Sequence, residues 1–225
     1  MDRGAKCIIL IPLLFVLLAG CSLFGSGVKE SEKSPQELMD EGLSQFRDGN
    51  YEKATESFQK LKDRYPYSKL AIQAEIKLAD TFFKGGEYED ALGAYREFER
   101  LHPKNPSIPY VIFQQAMCHF LRMNTIDRDQ TPAKDSLREF ERLRREFPRS
   151  QFSLRAQRYI RVCLRHLASH EFYVGHHYFK SGHYAAALGR FKYLMRHYPD
   201  LGHYGQTLLY IAKCREKLSE QKSLQ

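Results

Sequence analysis

Two residue types in this chain are placed where they could do chemistry. Seven of the nine histidines fall between His166 and His203. His166 and His170 are four apart, so one helix face could offer two imidazoles to a metal. No carboxylate pattern accompanies them, and they read equally well as surface histidines of a basic region. Arginine is the denser signal, with nine arginines, no lysine and three acids between 138 and 165. Arg155, Arg158, Arg161 and Arg165 would share one helix face. Such a face is either simply solvated or docks an acidic protein surface, because guanidinium meets carboxylate through two parallel hydrogen bonds. The sequence has no glycine-rich phosphate loop, no G-x-S-x-G, no H-E-x-x-H and no cysteine pair at zinc spacing. This describes a non-enzymatic protein with no metal site and no cofactor.

Composition narrows the class further. Lysine and arginine number 35 against 27 acids, a formal charge of +8. A mean hydropathy of −0.53 leaves room for one apolar segment and excludes a multi-pass transporter. That segment follows Arg3 and Lys6, and its 12 residues, 7–18 (CIILIPLLFVLL), are too few to span a bilayer. They match the apolar region of a secretory signal. The run ends in Leu18-Ala19-Gly20-Cys21, which resembles a bacterial lipobox; the alternative is an ordinary signal peptide with a chance cysteine. In lipobox signals the thiol is diacylated, the chain is cut before it and the new amine is acylated, which anchors a protein stably. The expectation is a signal peptide over 1–20, a covalent lipid on Cys21 and a polar tether over 21–35. Ser22 stands where an aspartate would, by the same resemblance, retain the protein at the inner membrane. The reading is therefore an outer-membrane lipoprotein facing the periplasm of a Gram-negative bacterium, where nucleic acid is not an expected partner. Cys118, Cys163 and Cys214 sit in apolar helical patterns and read as buried free thiols.

The elements that would position these residues repeat. Gly49-Asn50-Tyr51, Gly86-Glu87-Tyr88 and Gly182-His183-Tyr184 align. Each precedes an alanine, an aromatic four residues on and a proline eight beyond that: Ala54/Phe58/Pro66, Ala91/Tyr95/Pro103 and Ala187/Phe191/Pro199. Ser136/Phe140/Pro148 keeps the spacing with serine for alanine. Gly42, Ala79 and Gly175 lie twelve residues before their alanines. The small residues would let two helices approach closely, the aromatic would fill the gap, and the proline would end the second helix. This resembles the tetratricopeptide repeat. The expected fold is all-α, a solenoid of about four and a half to five helix pairs over 36–222. The proline spacings of 37, 45 and 51 residues exceed the ~34 of a plain unit. The third unit is expected to hold its surplus in a loop over 122–132 (RMNTIDRDQTP), the fourth in one long helix over 152–180. A final helix, roughly 203–219, opens a fifth unit that the chain does not complete and would serve as a polar cap. Inner-face residues of the first two units include Gln45, Phe46, Gln73, Lys77 and Phe83, each a candidate contact or plain surface.

More specific segments point to one family. Arg128-Asp129-Gln130-Thr131-Pro132-Ala133-Lys134, Phe147-Pro148-Arg149-Ser150, His170-Glu171, Gly182-x-Tyr184 and Arg190-Phe191 are similar to segments of the BamD (ComL/YfiO) family, lipoproteins of the outer-membrane β-barrel assembly machine. The resemblance runs over 18–219. It implies a scaffold that binds the POTRA segment of the large BamA-like barrel subunit through its C-terminal half, beside the other lipoproteins of that complex. Its N-terminal half would receive the aromatic-ended C-termini of unfolded barrel proteins. Arg190 matches an arginine the family uses for the barrel-subunit contact; Arg155, Arg158 and Arg165 are added on charge alone. For the substrate end, Phe46 and Phe83 would supply apolar contact and Lys77 a cation for the carboxylate. The alternatives are a tetratricopeptide lipoprotein of another envelope machine, such as a type IV pilus pilotin or a Tol-associated factor, and a lipid-anchored hydrolase or metal-binding protein.

Overall fold

The computed structural model describes residues 32–199 and 201–223; the signal segment, Cys21 and the tether up to residue 31 lie outside them. The described residues form nine helices and no strand: α1 (Pro35–Arg47), α2 (Tyr51–Arg64), α3 (Lys69–Gly85), α4 (Tyr88–Leu101), α5 (Ile108–Leu121), α6 (Thr131–Glu146), α7 (Gln151–Lys180), α8 (Tyr184–His197) and α9 (Tyr204–Ser223). Each helix packs on the next. First helices of successive units also touch, α1 on α3, α5 on α7 and α7 on α9. This is a tetratricopeptide solenoid of four helix pairs with a ninth helix stacked on the last.

The repeated residues do the mechanical work expected of them. Gly49, Gly86 and Gly182 adopt φ of 77°, 84° and 79°, the left-handed conformation that ends a helix without a Cβ penalty. In each turn the residue after the glycine returns its N–H to the preceding helix, Asn50 to Gln45, Glu87 to Phe82 and His183 to Tyr178, all at 2.9 Å. The residue before each repeat-ending proline leaves helical geometry, as its steric conflict with the ring favours. Tyr65, His102, Phe147 and Tyr198 all do so. Ser68 and Ser150 then cap α3 and α7, accepting from the N–H groups of Leu70 and Phe152 at 3.2 Å.

Inside each unit an aromatic ring meets a small residue. Phe58, Tyr95, Phe140 and Phe191 are fully buried, as are Ala54, Ala91, Ser136 and Ala187. A Cβ on Gly42 would come within 2.6 Å of the Phe58 ring, and one on Gly175 within 2.8 Å of Phe191. In the third unit the inserted loop displaces the small residue from its usual offset. Ala116 takes the place, and the Ser136 hydroxyl donates to its carbonyl at 3.1 Å.

Three apolar cores follow, one under α1–α3, one running from α3 to the first half of α7, and one joining the second half of α7 to α8 and α9. Polar networks stitch the middle block. Asp80 is buried and accepts from the Tyr95 hydroxyl at 2.7 Å and the Tyr110 hydroxyl at 2.5 Å, while Lys77 Nζ donates to its other oxygen at 3.1 Å. Burial, and then the Asp80 charge, push both phenols well above their usual range, so they remain donors. Arg142 of α6 grips Glu99 of α4 through two bonds of 2.8 and 3.1 Å, and Gln115 of α5 adds a third at 2.8 Å. Burial opposes ionisation of Glu99, but these bonds outweigh it and hold the carboxyl below the ordinary value.

The loop of the third unit is built rather than slack. Pro132 belongs to the first turn of α6, not to the loop as expected, since proline suits that position. Buried Gln130 donates to the carbonyls of Thr125 at 3.0 Å and Arg128 at 2.8 Å. Asp129 closes a turn at the start of the helix, accepting from the Thr131 N–H at 3.1 Å. From α7, His170 Nδ1 donates to the Ile126 carbonyl at 2.6 Å. Of the two histidines that could have faced a metal, His170 therefore straps a loop.

Two outcomes follow from this packing. Helix propensity favours Gly175→Ala by about 0.8–1 kcal/mol, whereas overpacking a filled core costs about 1–3 kcal/mol. Phe191 has no exposed side to yield into, so the substitution should lower Tm by roughly 2–4 °C, and adding Phe191→Leu should recover it. A rise in Tm for the single variant would show that the ring turns aside. The second outcome concerns acid. Burial holds His119 and His166 below the ordinary imidazole value of 6.5, with the charge of His170 adding at His166. The unfolded chain takes these protons first, so their contribution is complete above about pH 6.5 and is lost as pH falls through the folded values. Thermal melts should show a lower Tm at about pH 5.5 than at 7.5, and His119→Gln with His166→Gln should flatten the difference. An unchanged difference in that double variant would assign the effect to other groups.

Candidate functional site

Helix α7 carries most of the candidate residues, and it is about 45 Å long, twice its counterparts. Its buried stripe is Ser153, Ala156, Ile160, Cys163 and Leu167. On the opposite side Arg158, Arg161 and Arg165, with Leu154, Gln157 and Val162, line a shallow groove of about 490 Å³. A second groove of about 520 Å³ shares Gln157, Arg161 and Arg165 and adds Ile160, Leu164 and Leu201 from the α8–α9 connection. Arg155 stands apart from the other three. Its guanidinium lies 4.8 Å from the centroid of the Phe113 ring and 5.8 Å from that of Phe152, a cation–π seat over an aromatic cluster that also holds Tyr110, Phe140 and Tyr159.

Arg190, on α8, belongs to a different surface. Its Nη1 donates to Glu171 of α7 at 3.0 Å, with Arg190 44% and Glu171 14% exposed. Tyr178, Ala186, Gly189 and Tyr193 complete a shallow depression around it. Glu171 is sheltered and so fixes the direction of the guanidinium, while the arginine remains open to an incoming group. Tyr193 is 43% exposed. Sequence reasoning missed Tyr178, Tyr193 and the orienting role of Glu171, although Tyr193 follows Arg190 by three, the spacing of helix-face neighbours. The structure does not bring Arg190 together with Arg155, Arg158 or Arg165.

Phe46, Lys77 and Phe83 each have structural work. Phe46 sits edge-on to Tyr51 at 5.9 Å and Phe83 edge-on to Tyr88 at 5.6 Å. Phe179 and Tyr184 repeat the contact at 5.4 Å in the fourth unit, so it is a staple across the glycine turn. Lys77 is paired with Asp80, and is 39% exposed. Cys118, Cys163 and Cys214 are buried free thiols. Burial pushes Cys118 up to about 12, too high for thiolate chemistry. Helix α9 differs from the polar cap expected, since Tyr204, Leu208 and Leu209 are about half exposed. Among the described residues no helix is long and apolar enough to cross a membrane.

Comparison with known proteins agrees with this geometry. The model of the YfiO family, described as outer membrane lipoprotein, matches residues 31–225. The outer membrane protein assembly factor BamD of Caulobacter vibrioides is 27% identical over 200 residues, spanning 87% of this chain and 65% of that relative. BamD of Neisseria gonorrhoeae is 26% identical over 229 residues, spanning 96% and 86%. Among solved structures, tetratricopeptide-like repeats of a Podospora anserina kinesin light chain superpose with a TM-score of 0.48 at 12% identity, covering 85% of this chain and 99% of that one. With the family model matching residues 31–225, the chain belongs to the YfiO (BamD) family of outer membrane lipoproteins.

Proposed function

We propose that this protein is a non-enzymatic scaffold of outer-membrane β-barrel assembly, held by a lipid on Cys21 and facing the periplasm. In this reading it docks the POTRA-bearing barrel subunit through the surface around Arg190. The observation that carries it is the preoriented guanidinium on α8. The Glu171 contact uses one of the five donors of Arg190, and Tyr178 and Tyr193 flank what remains. An arginine between aromatics is the composition of an interface anchor. The names of the relatives, outer membrane protein assembly factors, supply the class of machine. Phe46, Phe83 and Lys77 remain the candidates for the aromatic-ended C-termini of unfolded barrel proteins, each also holding a structural contact.

The test is affinity recovery of the protein from detergent-solubilised native envelopes, with partners identified by mass spectrometry. Wild type should recover a large POTRA-containing barrel protein, and Arg190→Glu should reduce that recovery by about tenfold or more, the loss of one anchor of ~1.4 kcal/mol or above. The exchange of Arg190→Glu with Glu171→Arg rebuilds the internal pair with the cation moved. If that exchange restored full recovery, Arg190 would act only by holding α7 to α8. Recovery of pilus or Tol components instead would move the scaffold to another envelope machine.

A further inference from the structure

The arginine face of α7 contrasts with several other arginines of the chain. Arg138, Arg142, Arg145 and Arg190 each meet a carboxylate. Among the described residues Arg158, Arg161 and Arg165 meet none. No acid occurs on α7 until Glu171. Like charges three and four residues apart repel along a helix, and the molecule carries that cost without an internal remedy. Apolar side chains are interleaved with the cations: Leu154 is 71% exposed and Val162 38%. Leu154, Arg158, Arg161, Val162 and Arg165 recur at i, i+4, i+7, i+8 and i+11, a continuous stripe about 16 Å long. Beside it runs the second groove, with Ile160 and Leu164 at its base and Leu201 contributed from the loop beyond α8.

We propose that this stripe and groove dock an acidic amphipathic helix of a partner protein, at a site separate from the Arg190 surface. A helix laid along α7 would set its carboxylates against the three guanidiniums and its apolar residues between Leu154, Val162 and Leu201. Three features favour a protein segment over an anionic membrane. The cations are all arginine, whose fork pairs with carboxylate in a fixed plane, whereas lysine would serve a diffuse surface charge as well. They border a groove rather than a flat face. The apolar positions are spaced to receive side chains at helical intervals. The docking site does not depend on which envelope machine the Arg190 surface serves, because the two surfaces share no lining residue.

The experiment uses the purified full-length protein and a fluorescein-labelled synthetic helical peptide with leucine on one face and glutamate beside it, read by anisotropy. The control peptide carries glutamine at every glutamate. The glutamate peptide should bind about tenfold tighter or more, with the gap closing at high salt. Arg158→Ala with Arg161→Ala and Arg165→Ala should remove that advantage with the helical circular dichroism intact, since these side chains are exposed. The corresponding triple lysine variant, which keeps charge and loses the fork, should bind roughly threefold to tenfold more weakly than wild type. Arg190→Glu should leave peptide binding unchanged, so the two readings fail separately. Equal binding of both peptides, or an alanine variant that binds as wild type does, would overturn the proposal. Arginine-dependent binding to phosphatidylglycerol vesicles without binding to the peptide would overturn it in favour of a membrane contact.

Discussion

A phenyl ring seated on a residue with little or no side chain sets the spacing of helices throughout this solenoid. Where Gly42 faces Phe58 and Gly175 faces Phe191, the ring occupies the volume a Cβ would need. The helices can come no closer, and nothing bulkier fits. Burying an aromatic side chain contributes ~1.5–3 kcal/mol, so each unit gains its main apolar stabilisation at the point that also fixes its geometry. The glycine turns, the pre-proline breaks and the serine caps then determine where each helix starts and stops relative to that seat. Losing the seat would alter the angle at which the next pair stacks, and the error would pass along the array, because each unit contacts only its neighbours.

Helix α7 joins the middle and last cores of this one-dimensional array. Its first half closes the middle core with Ala156 and Ile160, and its second half opens the last core with Phe172 and Phe179. One continuous hydrogen-bond ladder spans both, so the Arg158–Arg165 groove and the Glu171–Arg190 pair are held at a fixed separation and rotation. The strapped loop adds to this. His170 attaches the α5–α6 connection to the middle of α7. The segment over 128–134 thus braces the loop, with Gln130 and Asp129 bonded to its backbone.

Much of this was legible because the repeat offsets are short-range and mechanical. Glycine, alanine, aromatic and proline at fixed intervals predicted the hairpins, the long α7 and the buried thiols. The offset rule fails in the third unit, where the loop insertion moves the small residue to Ala116, a shift visible only once Ser136 is seen against its carbonyl. Phe46 and Phe83 read as exposed aromatics because their partners, Tyr51 and Tyr88, lie five residues on, across a left-handed turn that helical periodicity does not follow. The Lys77–Asp80 pair was legible at i, i+3, but the two tyrosines that converge on Asp80 come from other helices. Glu99 and Arg142 are likewise 43 residues apart, and one sequence carries no trace of their pairing. Arg155 shares a helix with the other arginines, yet it is rotated enough to meet Phe113 instead of the groove.

The nearest-neighbour order of the helices has a kinetic consequence. Almost every contact in the core closes a short stretch of chain, since α1 packs on α2, α2 on α3, and so on to α9. Short loops close quickly and contacts of low sequence separation form early, so topology of this kind folds fast for its size. The first hairpin needs nothing from the last. A chain emerging N-terminus first can bury Phe58 against Gly42 while α7 is still unsynthesised or still in transit, and each later pair adds to a template already formed. The long helix is the exception, because its two halves belong to different cores and its second half waits for α8 and α9. The Arg190 surface accordingly needs only α7 and α8 in place.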